Sequence, residues 1–237
     1  MRILLVTQYF YPEVFKSNDL AFELARRGHH VDALVGIPNY PEGKYFKGYG
    51  LLSKRHEVID CSDGNRKGKV NVYRCFQTPR GKGGWRLPVN YFSYVISGCL
   101  WVLFFFVWRK KYDCIIGHEP SPIFQAYPAL LLRKLRKIPF YYWIMDLWPD
   151  AMKSGGGVKN EKLLNFIDKL VKGIYRQTDK ILITSKRFRE PIAQKGDFKD
   201  KIIYFPNWSD DILSMSQEYK IPKLPKGFKI MVAVNLG

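Results

Sequence analysis

Cysteine is scarce and unpatterned in this chain. Only Cys61, Cys75, Cys99 and Cys114 occur among 237 residues, with no C-x-x-C and no Cys/His spacing that would hold zinc. A disulfide-stapled scaffold and a zinc module are therefore excluded, and the thiols read as reduced, as in a cytoplasmic protein. Acidic residues are also few: 21 Asp and Glu face 39 Lys and Arg, a net charge of +18. Such an excess calls for a polyanion or an anionic surface: nucleic acid, phospholipid or a phosphorylated substrate. The basic stretches "RGKGGWR", "WRKKYD", "LLRKLRK" and "TSKRFR" carry no RNP, helix-turn-helix or zinc pattern, so charge alone speaks for nucleic acid. No repeat of about 20 to 50 residues is present, which removes solenoids and propellers. The opening "MRILLVTQYFYPE" holds one Arg and a very short apolar run, the pattern of a first strand rather than a signal peptide.

What the chain does contain is enough apolar residue, 46%, for one large domain with a core. Short apolar runs alternate with helical spacing: "RILLVT", "HVDALVGI", "VNVYRCF", "DCIIGH", "FYYWIMD", "KILITS" and "KIIYFPN". Continuous apolar strands separated by helices predict an α/β fold, a Rossmann-like, doubly wound, mainly parallel sheet covered on both faces. In "SNDLAFELARRGHHV", Ser17 is the expected helix N-cap, Leu20, Ala21, Leu24 and Ala25 the buried stripe, and Gly28 the stop. The stretches 38–69 and 209–227, rich in Gly, Pro and Lys, are expected to be long mobile loops. Residues 1–208 then form one domain and 209–228 a linker. Residues 229–237, "IMVAVNLG" after Lys229, supply the first strand of a second, truncated domain, or an edge strand of the first.

From Val89 to Trp108 about 20 residues pass without a charge, enough at 1.5 Å per residue to cross a hydrocarbon core of roughly 30 Å. A spanning helix here would separate strands of one sheet across a bilayer, so a helix lying in the membrane surface is expected instead. Its anchors would be Trp101, Phe104, Phe105 and Trp108, with Arg109, Lys110 and Lys111 on the anionic lipid. A crossover helix buried wholly in the domain is the other possibility.

Ligands of doubly wound sheets gather at the carboxyl ends of the strands. There the chain places "TQYFYPE", "GHEPSP", "MDLWPD", "TSKRFRE" and "FPNWSDD". Together with "LAFELARRGHHV", "GIPNYPEGKYFKGY" and "DLWPDAMKSGG", this order resembles the acceptor-side, N-terminal half of family 4 glycosyltransferases, which have two Rossmann-like domains in the GT-B architecture. The likeness covers nearly the whole chain. It is nearest to the bacterial N-acetylfucosamine-type transferases of surface polysaccharide, lipopolysaccharide or capsule synthesis.

The resemblance implies a retaining enzyme that moves a sugar from a nucleotide sugar, UDP-linked, to a lipid-linked saccharide. It further implies a protein peripheral to the inner face of the cytoplasmic membrane, with no metal. Most donor contacts of that family lie in the second domain, so this chain is expected to be inactive alone, its partner domain possible as a separate polypeptide. His118 matches the position where family members set a His beside the donor sugar, and Glu119 either orients it or points to solvent. Asp146 is the candidate acid/base partner of the acceptor, with Asp150 beside it as a substrate contact; either Asp also suits a helix N-cap. The usual Gly-Gly loop after the first strand is absent, and Lys16, Ser17 and Asn18 stand there instead, next to Glu13. These four, with Ser185, Lys186, Arg189 and Asn207, complete the substrate-binding candidates. A non-catalytic membrane-binding or scaffold domain is the alternative from another class.

Overall fold

The computed structural model describes residues 1–81, 84–154 and 158–209, with Gly227. Two units are distinguished, Met1–Pro206 and Asn207–Gly237. The expected linker and the strand at 229–237 lie outside the described residues.

In the first unit the apolar runs become β1 (Arg2–Val6), β2 (His30–Val35), β4 (Lys69–Arg74), β5 (Cys114–Glu119), β6 (Phe140–Ile144), β7 (Lys180–Ile183) and β8 (Ile202–Tyr204). These seven are parallel, and the short β3 (His56–Asp60) joins β4 antiparallel, giving the order β3-β4-β2-β1-β5-β6-β7-β8. β3 overturns the expectation of one long loop over 38–69. Its residues alternate between half-buried and exposed, as an edge strand covered on one side does, so no continuous apolar run announces it.

Both faces of the sheet are covered, as period-2 alternation requires. Leu4 and Val6 of β1 point into one core with Ile115, Tyr142 and Ile183. Leu5 points into the other, with Val31, Ala33, Val35 and Val70. Helix α1 (Lys16–Arg26) lies on the second core through Ala21 and Ala25, while Leu20 and Leu24 stay half-buried. It ends as expected: Gly28 takes φ +83°, its N–H bonding to the Ala25 carbonyl and that of His29 to Leu24. Its start differs. Phe15 occupies the cap position without a side-chain bond, and Ser17 is already inside the first turn with its hydroxyl buried and unpartnered among the described residues.

The first core is closed by α2 (Arg86–Phe104), α3 (Tyr127–Arg136) and α5 (Glu161–Gln177). In α5 Asn160 caps the start by accepting from the Leu163 N–H at 3.2 Å, and Leu164, Ile167, Val171 and Ile174 form the buried stripe. Helix α2 crosses from β4 to β5, two strands of the same sheet, so it cannot carry the chain through a bilayer. It buries Asn90, Tyr94, Gly98 and Val102, one residue per turn. A Cβ on Gly98 would meet the Pro128 ring at 2.8 Å, which is why this crossing takes glycine.

The remainder of α2 faces outward. Phe92, Ile96, Leu100 and Phe104 are exposed, Phe104 by 77%, and Trp108 in the turn that follows by 80%. Among the described residues, Arg86–Trp108 is the one helix long and apolar enough to cross a membrane by length and composition. The helix is thus neither wholly buried nor uniformly exposed. Two of the expected anchors belong to the covered side. Trp101 and Phe105 turn to the core, with Phe105 ring centroids 5.2 Å from both Tyr73 and Phe106. Trp101 does so because it lies three residues after Gly98 and seven after Tyr94, on the flank of the buried stripe, and Phe105 because α2 stops at Phe104. Arg109 is likewise engaged, lying over the Phe105 ring at 4.8 Å and 3.9 Å from the buried Asp32 carboxylate. Lys110 and Lys111 remain exposed.

Candidate active site

Strand order reverses between β1 and β5, with β2 on one side of β1 and β6 beyond β5. The crevice at their carboxyl ends is where a doubly wound sheet receives ligand. It is built from amides. The Gln8 N–H donates to Gln125 Oε1 at 2.8 Å, and its side-chain nitrogen to Asn90 Oδ1 at 2.8 Å. Asn90 in turn donates to the Thr78 carbonyl. Asn39 donates to the Ile37 carbonyl and accepts the Arg80 N–H at 3.0 Å. Gln8, Asn39, Asn90 and Gln125 are all buried. None of these was singled out from sequence, although a polar Asn90 at the start of an otherwise uncharged helix is a visible signal.

His118 and Glu119 are adjacent on β5 and therefore point to opposite faces, so Glu119 does not orient His118. His118 packs on Trp143, its register partner on β6, with ring centroids 4.8 Å apart. It is only 2% exposed, and Nδ1 has no partner among the described residues. Burial holds its pKa down to about 3, so the ring is neutral.

The solvent-facing reading of Glu119 is overturned: its exposure is 0%. Oε2 accepts the N–H groups of Met145 and Asp146, each at 3.2 Å, because the "MDLWPD" segment folds back over the end of β5. Burial, and then the charge of Asp146, push its carboxyl well above the usual carboxylate range. Asp146 is half-buried and also raised, by burial. The acid that shares the surroundings of Asp146 is thus Glu119. Asp150 is exposed, begins the short helix α4 (Asp150–Ser154) and lies 3.6 Å from Lys153. Trp148 between them packs edge-on against Phe124 at 5.5 Å.

The loop after β1 is held by the residues expected to meet substrate. Glu13 Oε1 accepts the N–H groups of Asn39 and Tyr40 at 2.7 Å, and Oε2 that of Phe10 at 3.2 Å. Burial nevertheless raises its carboxyl to about 7. Asn18 accepts the Tyr11 N–H and donates to the Glu13 carbonyl. Both residues shape the backbone instead of presenting free groups to a ligand. Lys16 pairs with Asp19 at 3.3 Å. Ser185 accepts the Arg187 N–H and caps the turn that carries Lys186 over the Tyr204 ring; Arg189 is exposed at the next helix start, α6 (Arg189–Ala193). Asn207 falls in the second unit.

The glycosyl transferase 4-like domain family matches residues 17–208, most of the chain. The chain belongs to that family. It is 24% identical over 218 residues, 89% of its length, to the WcaI protein of Escherichia coli (strain K12), whose name assigns it to glycosyl transfer in colanic acid biosynthesis. Two solved structures share the fold. Sucrose-phosphate synthase from Thermosynechococcus elongatus superposes with a TM-score of 0.51 at 13% identity, over 90% of this chain and 49% of the other. The glycotransferase of kitacinnamycin gives 0.50 at 14%, over 93% and 55%. The chain spans about half the length of each of these relatives.

Within this glycosyl transferase 4-like domain the Glu119 clamp is testable by itself. Glu119→Leu strands the Asp146 N–H, at about 1–3 kcal/mol, while the Met145 N–H keeps the Glu119 main-chain carbonyl; Glu119→Gln keeps an acceptor oxygen and should lose about 1 kcal/mol or less. Urea denaturation at neutral pH reads the difference. Equal losses in the two variants would show that the clamp depends on charge and not on an acceptor in place.

Proposed function

We propose that this chain is the acceptor-side half of a retaining glycosyltransferase. It would pass a sugar from a UDP-linked nucleotide sugar to a lipid-linked saccharide at the inner face of the cytoplasmic membrane, in cell-surface polysaccharide synthesis. In this reading residues 1–208 hold the acceptor, 209–228 link, and 229–237 open a donor-side domain, here or on a separate polypeptide. The observation that carries it is the double use of α2. Its inner face supplies Asn90 to the amide network at the β1/β5 crevice, while its outer face is apolar and uncovered. A membrane-borne acceptor meets both at once.

Asp146 is the group suited to orient or deprotonate the acceptor hydroxyl, since burial raises a half-accessible carboxylate toward the working range of a base. The depth of His118 shifts that task away from it. It serves as a neutral polar floor beneath the site, able to meet a sugar hydroxyl only when the segments above it part. Donor binding and stabilisation of the leaving diphosphate then fall mainly to the second domain.

The test is co-sedimentation with vesicles, with and without an undecaprenyl-diphosphate sugar. The wild-type chain should bind more tightly when the sugar lipid is present, and Asp146→Ala should lose most of that increment. No increment in the wild type would sink the acceptor reading and favour a second one, a non-catalytic membrane-surface module, for which the exposed face of α2 alone speaks.

A further inference from the structure

Most of the arginines that are partly or wholly buried among the described residues lie beside an acid. Arg74 lies 2.9 Å from Glu57, Arg133 2.8 Å from Asp179, and Arg2 and Arg109 each 3.9 Å from Asp32. Of the others, Arg55 and Arg136 lack an acid but spend their side-chain donors on backbone carbonyls, Arg55 on those of Arg74 and Leu51, Arg136 on those of Val107 and Arg109; Arg80 has neither kind of partner. It is half-buried at the carboxyl end of the sheet and makes no ion pair among the described residues.

Its placement is nevertheless fixed. The Arg80 N–H is held by Asn39 Oδ1 at 3.0 Å, and Gly81 N–H by the Gly43 carbonyl at 3.0 Å. The guanidinium lies over the Tyr40 ring at 5.3 Å, and Nη1 donates to the Tyr9 hydroxyl over a long 3.4 Å. Tyr9 itself is stacked on Phe15 at 5.3 Å. Arg86 closes the other side: a Cβ on Gly81 would meet its Cδ at 2.6 Å. Aromatic faces orient a guanidinium without neutralising it, so most of its fork of donors stays available. A planar fork with no acid partner is suited to two oxygens of a phosphate at once.

The position narrows the ligand. Through Asn39 and Asn90 the Arg80 loop is tied to the first turns of α2, where Trp85, Val89 and Phe92 are exposed. A phosphate bound there would sit at the level of a membrane surface that received that apolar face.

We infer that Arg80, seated on Tyr40 and Tyr9, is the anion anchor of the acceptor site and takes the diphosphate of a lipid-linked saccharide. The assignment of that diphosphate to an acceptor rests on the function proposed above; the anion site itself does not. Two probes separate them. Calorimetry with inorganic pyrophosphate should show binding to the wild-type chain, weakened at least tenfold in Arg80→Gln and partly restored in Arg80→Lys. The melting temperature should barely move in either variant, because the side chain makes one long hydrogen bond. Vesicles then carry either undecaprenyl-diphosphate sugar or phosphatidylglycerol. Arg80→Gln should lose the increment from the diphosphate lipid and keep its response to phosphatidylglycerol. Unchanged pyrophosphate affinity in Arg80→Gln would overturn the inference, as would an equal loss on both kinds of vesicle. If pyrophosphate binding depends on Arg80 while the sugar lipid gives no increment even in the wild type, the anion site stands and the acceptor reading fails.

Discussion

Acidification from pH 7 to pH 4 is expected to remove about 3 kcal/mol more folding free energy from the wild-type chain than from a His118→Gln variant. The ring has its unfolded pKa near 6.5 and is held down to about 3 in the fold by burial. A depressed folded pKa means that the unfolded chain takes up the proton first. The contribution of His118 to stability is therefore complete above about pH 6.5 and is lost progressively as pH falls toward 3. Glu13 works in the opposite sense. Its carboxyl is raised to about 7 from 4.5, so protonation between those values favours the fold, and the stability is lost again as pH rises through 7. The wild-type profile alone would mix the two, whereas the difference from His118→Gln isolates the imidazole. Chemical denaturation at half-unit pH steps measures it. Parallel profiles for wild type and variant would mean that His118 is reached by water, and its role as a buried floor would have to be abandoned.

The second large effect concerns the two sides of α2. Replacing Phe92, Ile96, Leu100 and Phe104 together with glutamine should leave the melting temperature within a few degrees, since all four are exposed. The same variant should lose vesicle binding by at least a hundredfold. Burying one large apolar side chain is worth about 1.5–3 kcal/mol, and four are removed. Trp101→Ala with Phe105→Ala should do the reverse. These rings pack on Tyr73 and Phe106, so their removal should destabilise the fold by about 3 kcal/mol or more while the outer face stays intact. Vesicle binding that survives the four-glutamine variant would reassign the exposed face to another partner.

The parallel sheet was legible in the sequence because strands buried on both faces must be mostly apolar, and "RILLV", "HVDALV" and "CIIGHE" carry that signal despite Asp32, His118 and Glu119. β3 was not, since an edge strand covered on one side alternates and is short. The carboxyl-end motifs placed the candidate residues together at one end of the sheet. Which of their residues face a ligand was another matter. Glu13, Asn18 and Glu119 are polar residues in the right loops, yet each is tied to backbone N–H or carbonyl groups that no local pattern reveals. The amide network of Gln8, Asn39, Asn90 and Gln125 joins four segments far apart in the chain, a coincidence that only folding creates.

By itself, then, the order of residues determined the alternating α/β plan, the stop at Gly28, the uncharged run of α2 and membership of a glycosyl transferase 4-like family, because these depend on local period and motif. The tertiary structure decided which face of α2 stays uncovered, that Trp101 and Phe105 turn inward, that His118 is neutral, and that Arg80 is left without an acid. Each of those is set by what packs against a side chain, and burial and charge pairing are properties of neighbours rather than of sequence position.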